Sequence, residues 1–120
     1  MNILFIHQNM PAQFRHVAPM LAGEGHRVLF LTQHCRADLP GVEAVTYRMA
    51  RAASTDPHPY LRRFEEAVRH GQAVVRAVNQ LRERGFVPDL VIAHPGWGEA
   101  LFLKDVLPAT PLIVFAELNY

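Results

Sequence analysis

The run NILFIH, residues 2–7, decides the fold class of this chain. It is apolar at successive positions, so it lacks the polar alternation of a strand with one face in water. Such a run predicts a short strand buried on both faces, which is typical of a parallel sheet covered by helices. The same kind of run recurs at RVLFLT (27–32), DLVIA (89–93) and LIVF (112–115), and VEAVTY (42–47) gives a weaker strand signal.

Segments with helical signals separate these strands. Pro11 suits the first turn of a helix, because its missing N–H would have no intrahelical partner there, and Gly23 suits the end of that helix. Asp56-Pro57 resembles a helix cap followed by a first-turn proline, which predicts a long helix that ends at Arg84. Residues 97–106 predict a third helix. The apolar stripe of the long helix is expected to lie in the core: Leu61, Phe64, Val68, Val75, Val78 and Leu81.

The alternation of strands and helices predicts an α/β fold. We expect a Rossmann-like three-layer sandwich, because helices must cover both faces of a sheet whose strands are apolar throughout. Right-handed crossovers and the usual topology of such domains predict about five parallel strands in the order 3-2-1-4-5.

Composition limits the partners and the location. The 120 residues fit one domain, and twelve basic against eleven acidic side chains provide no basic face for nucleic acid. No run approaches the roughly 18 apolar residues that suggest a membrane-spanning helix. The start of the chain does not resemble a signal peptide, and Cys35 has no cysteine to pair with. We therefore expect a cytoplasmic protein with no transmembrane segment, and leave a peripheral position at the inner membrane and a homodimer open.

The topology also predicts where a ligand would bind. In an open parallel sheet this is the crevice beyond the carboxyl ends of the strands, at the point where the strand order reverses. That point lies between the strands that end in HQN (7–9) and HPG (94–96). Both loops are expected to open helices, whose free N–H groups favour anions. Polar side chains and two helix N-termini should therefore meet in one crevice.

Several chemistries are excluded by the loop sequences. QNMPAQ (8–13) is not G-x-G-x-x-G, no P-loop motif is present, and HPGWGE (94–99) has no serine for a nucleophile elbow. Residues from three strand ends do not make a metal-ligand motif, so no metal is expected. Purely structural interpretations stay open: His94 as a turn residue, Trp97 as a packing residue, and Glu99 as a charge that favours the N-terminus of its helix.

Three segments of the chain resemble a known family. They are MNILFIHQNMPAQFRHVAPMLAGEGHRV, PDLVIAHPGWGEALFLKDVLP and FAELNY, and they resemble the N-terminal region of a bacterial subgroup of family 4 glycosyltransferases. The resemblance implies a GT-B enzyme, with two Rossmann-like domains, that transfers a sugar from a nucleotide-sugar donor with retention and without a metal or other cofactor. It implies that this chain is the acceptor-side domain of a longer enzyme, inactive alone, and that a nucleotide-sugar domain with an E-x7-E motif lies elsewhere.

Topology and resemblance together suggest roles for particular residues. His94 takes the place of a histidine that lies beside the reacting sugar in relatives, so it is implied to be the catalytic residue, through a hydrogen bond to the sugar or the acceptor. Many relatives place glycines in the first loop, where this chain could use the backbone amides of Gln13 and Phe14. The residues expected to line the substrate cleft are His7, Gln8, Asn9, Gly96, Trp97, Gly98 and Glu117. The loop beside the donor diphosphate is expected to contain Met10, Pro11, Gln13 and Phe14.

Two other classes of function remain compatible with the residues. One is a stand-alone flavodoxin-like module that binds a small ligand or a nucleotide. The other is a non-catalytic interaction domain that associates through an exposed sheet edge.

Overall fold

The computed structural model describes residues 1–49 and 59–116, and its centre is a five-stranded parallel sheet. Its strands, in chain order, are β1 (Asn2–Ile6), β3 (Arg27–Thr32), β5 (Val42–Thr46), β6 (Leu90–Ala93) and β7 (Leu112–Val114). Between β1 and β5 lie two further short strands, β2 (Asn9–Met10) and β4 (His34–Cys35). The order across the large sheet is β5-β3-β1-β6-β7, all parallel. Counted by sheet strand this is 3-2-1-4-5, so the predicted fold class and strand order are confirmed.

Helices cover the two faces of the sheet. On one face, α1 (Val17–Gly23) packs beside the rings of Phe5, Phe14 and Phe30. On the other, α2 (Pro59–Glu83) and the short α3 (Leu103–Val106) pack over the aliphatic side chains of the central strands. Residues 3–6 of β1 are completely buried, as the run NILFIH predicts for the middle strand of a three-layer sandwich.

The first helix begins later than the sequence predicts. Residues 9–10 form β2, which pairs with β4, and residues 12–14 form a 3-10 turn closed by a hydrogen bond from the Phe14 amide to the Pro11 carbonyl. The α-helix starts only at Val17. The prediction that Pro11 occupies the first turn of α1 is therefore wrong, because pairing with β4 holds the preceding residues extended.

The third helix is much shorter than predicted. Residues 96–102 form turns and a bend, and α3 contains four residues only. Gly98 has a φ of +99°, outside helical geometry, and its backbone lies directly against Ala67 of α2. This close crossing of loop and helix holds the segment in a non-helical path.

The stripe of the long helix is only partly core. Val78 and Leu81 are buried as predicted, but Leu61 and Phe64 are 61% and 69% exposed, so the prediction is wrong at that end. A helix of 25 residues is about 37 Å long, whereas the six-residue strand β3 spans about 20 Å. The N-terminal part of α2 therefore extends beyond the sheet, on the side where the strands end. The predicted cap Asp56-Pro57 lies outside the described residues.

Gly71 marks the place where α2 meets the loop after β6. Glycine weakens a helix interior by about 1 kcal/mol relative to alanine. A Cβ on Gly71 would lie 2.7 Å from the Phe102 ring and 3.1 Å from the Gly98 carbonyl oxygen. The missing side chain thus lets the loop lie close to the helix.

Within the described part of the chain, no helix combines the length and apolarity needed to cross a membrane.

Candidate active site at the switch point of the sheet

Two buried histidines meet where the strand order reverses. His7 follows β1 and His94 follows β6, and these two strands are neighbours in the centre of the sheet. The His94 amide donates a hydrogen bond to the Ile6 carbonyl at 2.9 Å, which extends the sheet by one residue. The ring centroids of the two histidines are 4.5 Å apart, and each side chain is about 4% exposed. The structure thus brings together the two histidines that the topology placed in one crevice.

Trp97 forms the outer part of this aromatic cluster. Its ring centroid lies 5.1 Å from that of His94 and 5.9 Å from that of His7. Trp97 is 44% exposed, so the indole presents a surface to solvent while its inner part contacts both imidazoles. An indole that is half buried on polar rings combines an apolar face with a fixed position, which suits the binding of a planar or ring-shaped ligand.

The turn after β6 fixes the orientation of His94. The Gly96 amide donates to His94 Nδ1 at 3.1 Å, and the Gly98 amide donates to the Pro95 carbonyl at 3.2 Å. A Cβ on Gly96 would overlap the imidazole ring of His94. Gly96 therefore does more than permit a turn, because its missing side chain allows the loop to close tightly over the histidine.

Neither loop at the crevice opens a helix directly. After β1 the chain forms β2 and a 3-10 turn, and after β6 it forms turns up to residue 102. The prediction that two helix N-termini meet at the site is therefore wrong. Three amides of these loops are occupied within the protein: those of Asn9 and Gly96 donate to imidazole nitrogens, and that of Phe14 donates to the Pro11 carbonyl.

The first loop is held by its own hydrogen bonds and by the core. His7 Nδ1 accepts the Asn9 amide at 2.8 Å, and the Gln8 carbonyl accepts amides from residues 33 and 34. Met10 is completely buried and Phe14 is 3% exposed, so their side chains belong to the core. The Phe14 amide is occupied by Pro11, which removes one of the two amides considered for phosphate. Pro11 is buried and Gln13 is half-buried beside this turn.

Glu99 is the residue of this site that sequence reasoning missed. The sequence assigned it to the first turn of a helix, as a charge that favours the helix N-terminus, but it lies in a turn with its side chain fully buried beside His94. Its Oε1 accepts the Trp97 amide at 3.2 Å, and its Oε2 lies 3.6 Å from His94 Nδ1. Burial raises the pKa of Glu99 from 4.5 to about 7, although hydrogen bonds from the amides of Glu99 and Trp97 act in the opposite direction. The only sequence signal for a contact between Glu99 and His94 was their separation of five residues across a turn that contains glycine and proline.

A cavity of about 410 Å³ lies beside the aromatic cluster. One wall is the loop at Gly96 and Trp97, and the other is the part of α2 that extends past the sheet, including Arg63, Glu66 and His70. His70 is 8% exposed, and burial lowers its pKa. The cavity therefore combines an aromatic surface with charged and polar side chains.

Glu117, which is predicted from the sequence to line the substrate cleft, lies outside the described residues. Among residues 1–49 and 59–116, no three His, Cys, Asp or Glu side chains are grouped so that they could hold a metal ion.

The chain has a Rossmann-like fold, and comparison with known proteins identifies its family. The family model described as "Glycosyl transferase family 4 group" matches residues 24–120. The chain therefore belongs to the glycosyl transferase family 4 group.

A solved structure is similar over most of the chain. The apo structure of UGT2 from Phytolacca americana matches 95% of this chain with a TM-score of 0.61 and 13% sequence identity. At that identity the similarity concerns the fold. The chain spans 28% of the length of that protein. No match was found among curated proteins.

Proposed function

We propose that this chain is the acceptor-side half of a retaining glycosyltransferase. The complete enzyme would move a sugar from a nucleotide-sugar donor to a glycan or another acceptor, with no metal or other cofactor. Membership of the glycosyl transferase family 4 group supports the transferase class. The observation that carries the proposal is the cluster of His7, His94 and Trp97 at the switch point, with a polar cavity beside it.

The proposed transfer exchanges two bonds at the anomeric carbon of the donor. The bond to the diphosphate oxygen breaks, a bond to the acceptor oxygen forms, and the acceptor proton leaves with the departing nucleoside diphosphate. His94 contributes a hydrogen bond to the sugar or the acceptor, and its fixed ring limits the geometries that the substrate can take. Trp97 provides a surface against which the apolar side of a sugar ring can pack.

The cavity beside Trp97 is the proposed acceptor position. Arg63 and Glu66 offer a cation and a carboxylate on its α2 wall, and both groups can hydrogen-bond to hydroxyls. Gln8 and Asn9 of the first loop are proposed to add polar contacts to the substrate. In the proposed complex the donor diphosphate lies near residues 10–14, where the Gln13 amide is the remaining candidate donor from the backbone.

The test uses the protein expressed from its complete reading frame. Release of nucleoside diphosphate is measured with a panel of nucleotide sugars, with and without glycan acceptors. His94→Ala is expected to lower kcat/KM by about 100-fold, the range for a lost hydrogen bond to a transition state. His16→Ala is the matched control, because His16 is exposed and its side chain caps no helix.

Two results would count against the proposal. Transfer by His94→Ala at the rate of the control would remove the role of His94. Absence of transfer from every nucleotide sugar, together with tight nucleotide binding by the 120 residues alone in calorimetry, would favour a binding module instead. Because His94 is buried, its variants are first compared with the wild type by urea unfolding, and His94→Gln provides a less disruptive replacement.

A further inference from the structure

The burial of Glu99 requires an explanation that the turn alone does not provide. Among the described residues, Glu99 is the only acidic side chain that is buried, and it is completely so. A short polar side chain at an exposed position is enough to accept a turn amide such as that of Trp97. Burying a carboxyl is costly unless it is paired, and such groups concentrate at functional sites.

The two oxygens of Glu99 have different surroundings. Oε1 accepts the Trp97 amide at 3.2 Å. Oε2 is buried without a hydrogen-bond partner among the described residues and lies 3.6 Å from His94 Nδ1. One oxygen thus holds the turn, while the other is directed at the histidine that the proposed function uses.

The hydrogen bonds of His94 determine which nitrogen carries its proton. Nδ1 accepts the Gly96 amide at 3.1 Å, so in this arrangement Nδ1 supplies a lone pair and the proton of the neutral ring is on Nε2. The loop encloses the Nδ1 edge of the ring, because Gly96 lies against it too closely to admit a side chain.

We propose that Glu99 is a positioning residue for His94: the Glu99 carboxyl holds the Nδ1 edge of the imidazole and balances the charge when the ring gains a proton. The proton moves from Glu99 Oε2 to His94 Nδ1, which turns a neutral acid and a neutral ring into a carboxylate and an imidazolium. The catalytic consequence rests on the proposed function of His94, whereas the pairing itself does not.

Protonation of Nδ1 takes away the acceptor of the Gly96 amide, which disfavours the charged form of the pair until a ligand stabilises it. A negatively charged group bound at the ring, such as a phosphate oxygen, would supply that stabilisation. When an anionic substrate binds, the pair can therefore convert to carboxylate and imidazolium, and the net charge of the pair stays at zero.

Other titratable groups face the pair from the neighbouring elements. His7 contacts the His94 ring from the end of β1. His70, on α2, lines the same cavity as Gly96 and Trp97. Tyr47 follows β5; burial raises its pKa, and the charge of Glu99 does so to a smaller extent. Among the described residues, His94 is the cation-forming side chain that lies within 4.0 Å of a Glu99 oxygen.

The test observes the His94 ring directly by NMR. The complete protein is labelled with ¹³C,¹⁵N-histidine, and the His94 signals are assigned by their loss in His94→Gln. In the wild type these signals are expected to titrate in two steps, because coupled groups report each other's ionisation. Glu99→Gln retains an acceptor for the Trp97 amide and is expected to remove one step. Glu43→Gln, an exposed carboxyl on β5, should retain both.

Activity provides the second measurement. Glu99→Gln is expected to lower kcat about tenfold or more with little change in KM, and to alter one limb of the pH–rate profile. A single His94 titration step in the wild type would overturn the proposal, and so would an unchanged two-step curve in Glu99→Gln. Loss of one step in a protein that transfers no sugar would support the pairing and refute the proposed function, so the two failures are distinguishable.

Discussion

Replacing Glu99 by Gln is expected to stabilise the fold above neutral pH and to have little effect in mild acid. Burial raises the pKa of this carboxyl from 4.5 to about 7. The native protein therefore binds the proton more tightly than the unfolded chain does. The stability contributed by this group is complete below about pH 4.5 and is lost as the pH rises through about 7.

The magnitude follows from the two proton affinities. A tenfold change in an equilibrium constant corresponds to about 1.4 kcal/mol, so a rise from 4.5 to about 7 costs the wild type about 3 kcal/mol near pH 8. Near pH 5 the cost is below about 1 kcal/mol. Gln has the shape of the protonated acid and can still accept the Trp97 amide, so it avoids the ionisation without losing that hydrogen bond.

The assay is urea unfolding of wild type, Glu99→Gln and Glu43→Gln at both pH values. Glu99→Gln should exceed the wild type by about 3 kcal/mol near pH 8 and match it within about 1 kcal/mol near pH 5. Glu43→Gln, the exposed control, should have the same free energy of unfolding as the wild type at both pH values. A destabilisation of Glu99→Gln that is equal at the two pH values would refute the reasoning, because it would show that the buried carboxylate is stabilised in its ionised form.

Three further substitutions test the packing around the site. Gly98→Ala is expected to lower the free energy of unfolding by about 3 kcal/mol, because the φ of Gly98 is +99° and an added Cβ would meet the backbone of α2. Gly23→Ala is the control in the same urea titration and should be nearly neutral, because there is open space around Gly23. Gly71→Ala should cost about 1–3 kcal/mol and be rescued in part by Phe102→Leu, and strictly additive effects of the two changes would contradict the close contact. Tyr47→Phe should raise the thermal midpoint or leave it unchanged, because the hydroxyl is buried with no partner among the described residues; a loss above about 1 kcal/mol would show a missing hydrogen bond.

The prediction of the fold succeeded where the sequence pattern has one physical solution. The run NILFIH forms a central strand buried on both faces, and parallel strands need helical crossovers of one hand. These constraints were sufficient for the order β5-β3-β1-β6-β7. They also placed His7 and His94 at neighbouring strand ends, because the carboxyl ends of parallel strands share one edge of the sheet. The prediction of burial on both faces is wrong for β5 and β7, whose residues are mostly exposed or half-buried because these strands lie at the edges of the sheet.

The prediction failed where a contact between distant segments decides the local structure. Residues 97–102 have a helical pattern, but Gly98 lies on the backbone of Ala67, some thirty positions earlier, and the segment forms turns. Residues 9–10 precede a proline suited to a helix start, but they pair with residues 34–35. Leu61 and Phe64 continue an apolar stripe past the end of the sheet, and no periodicity along α2 reveals where the sheet ends.

The sequence by itself determined the layers, the strand order and the position of the crevice. Apolar patterns can be recognised from residues close together in the chain, and the fixed hand of the crossovers leaves few alternative topologies. Only the tertiary structure decided what the crevice contains. The sequence pattern gives Glu99 as a charge at a helix start, but the folded turn buries its side chain, with one oxygen 3.6 Å from His94 Nδ1. The turn after β6 lies close against α2 at Gly71 and Gly98, a contact between distant segments that no local pattern reveals.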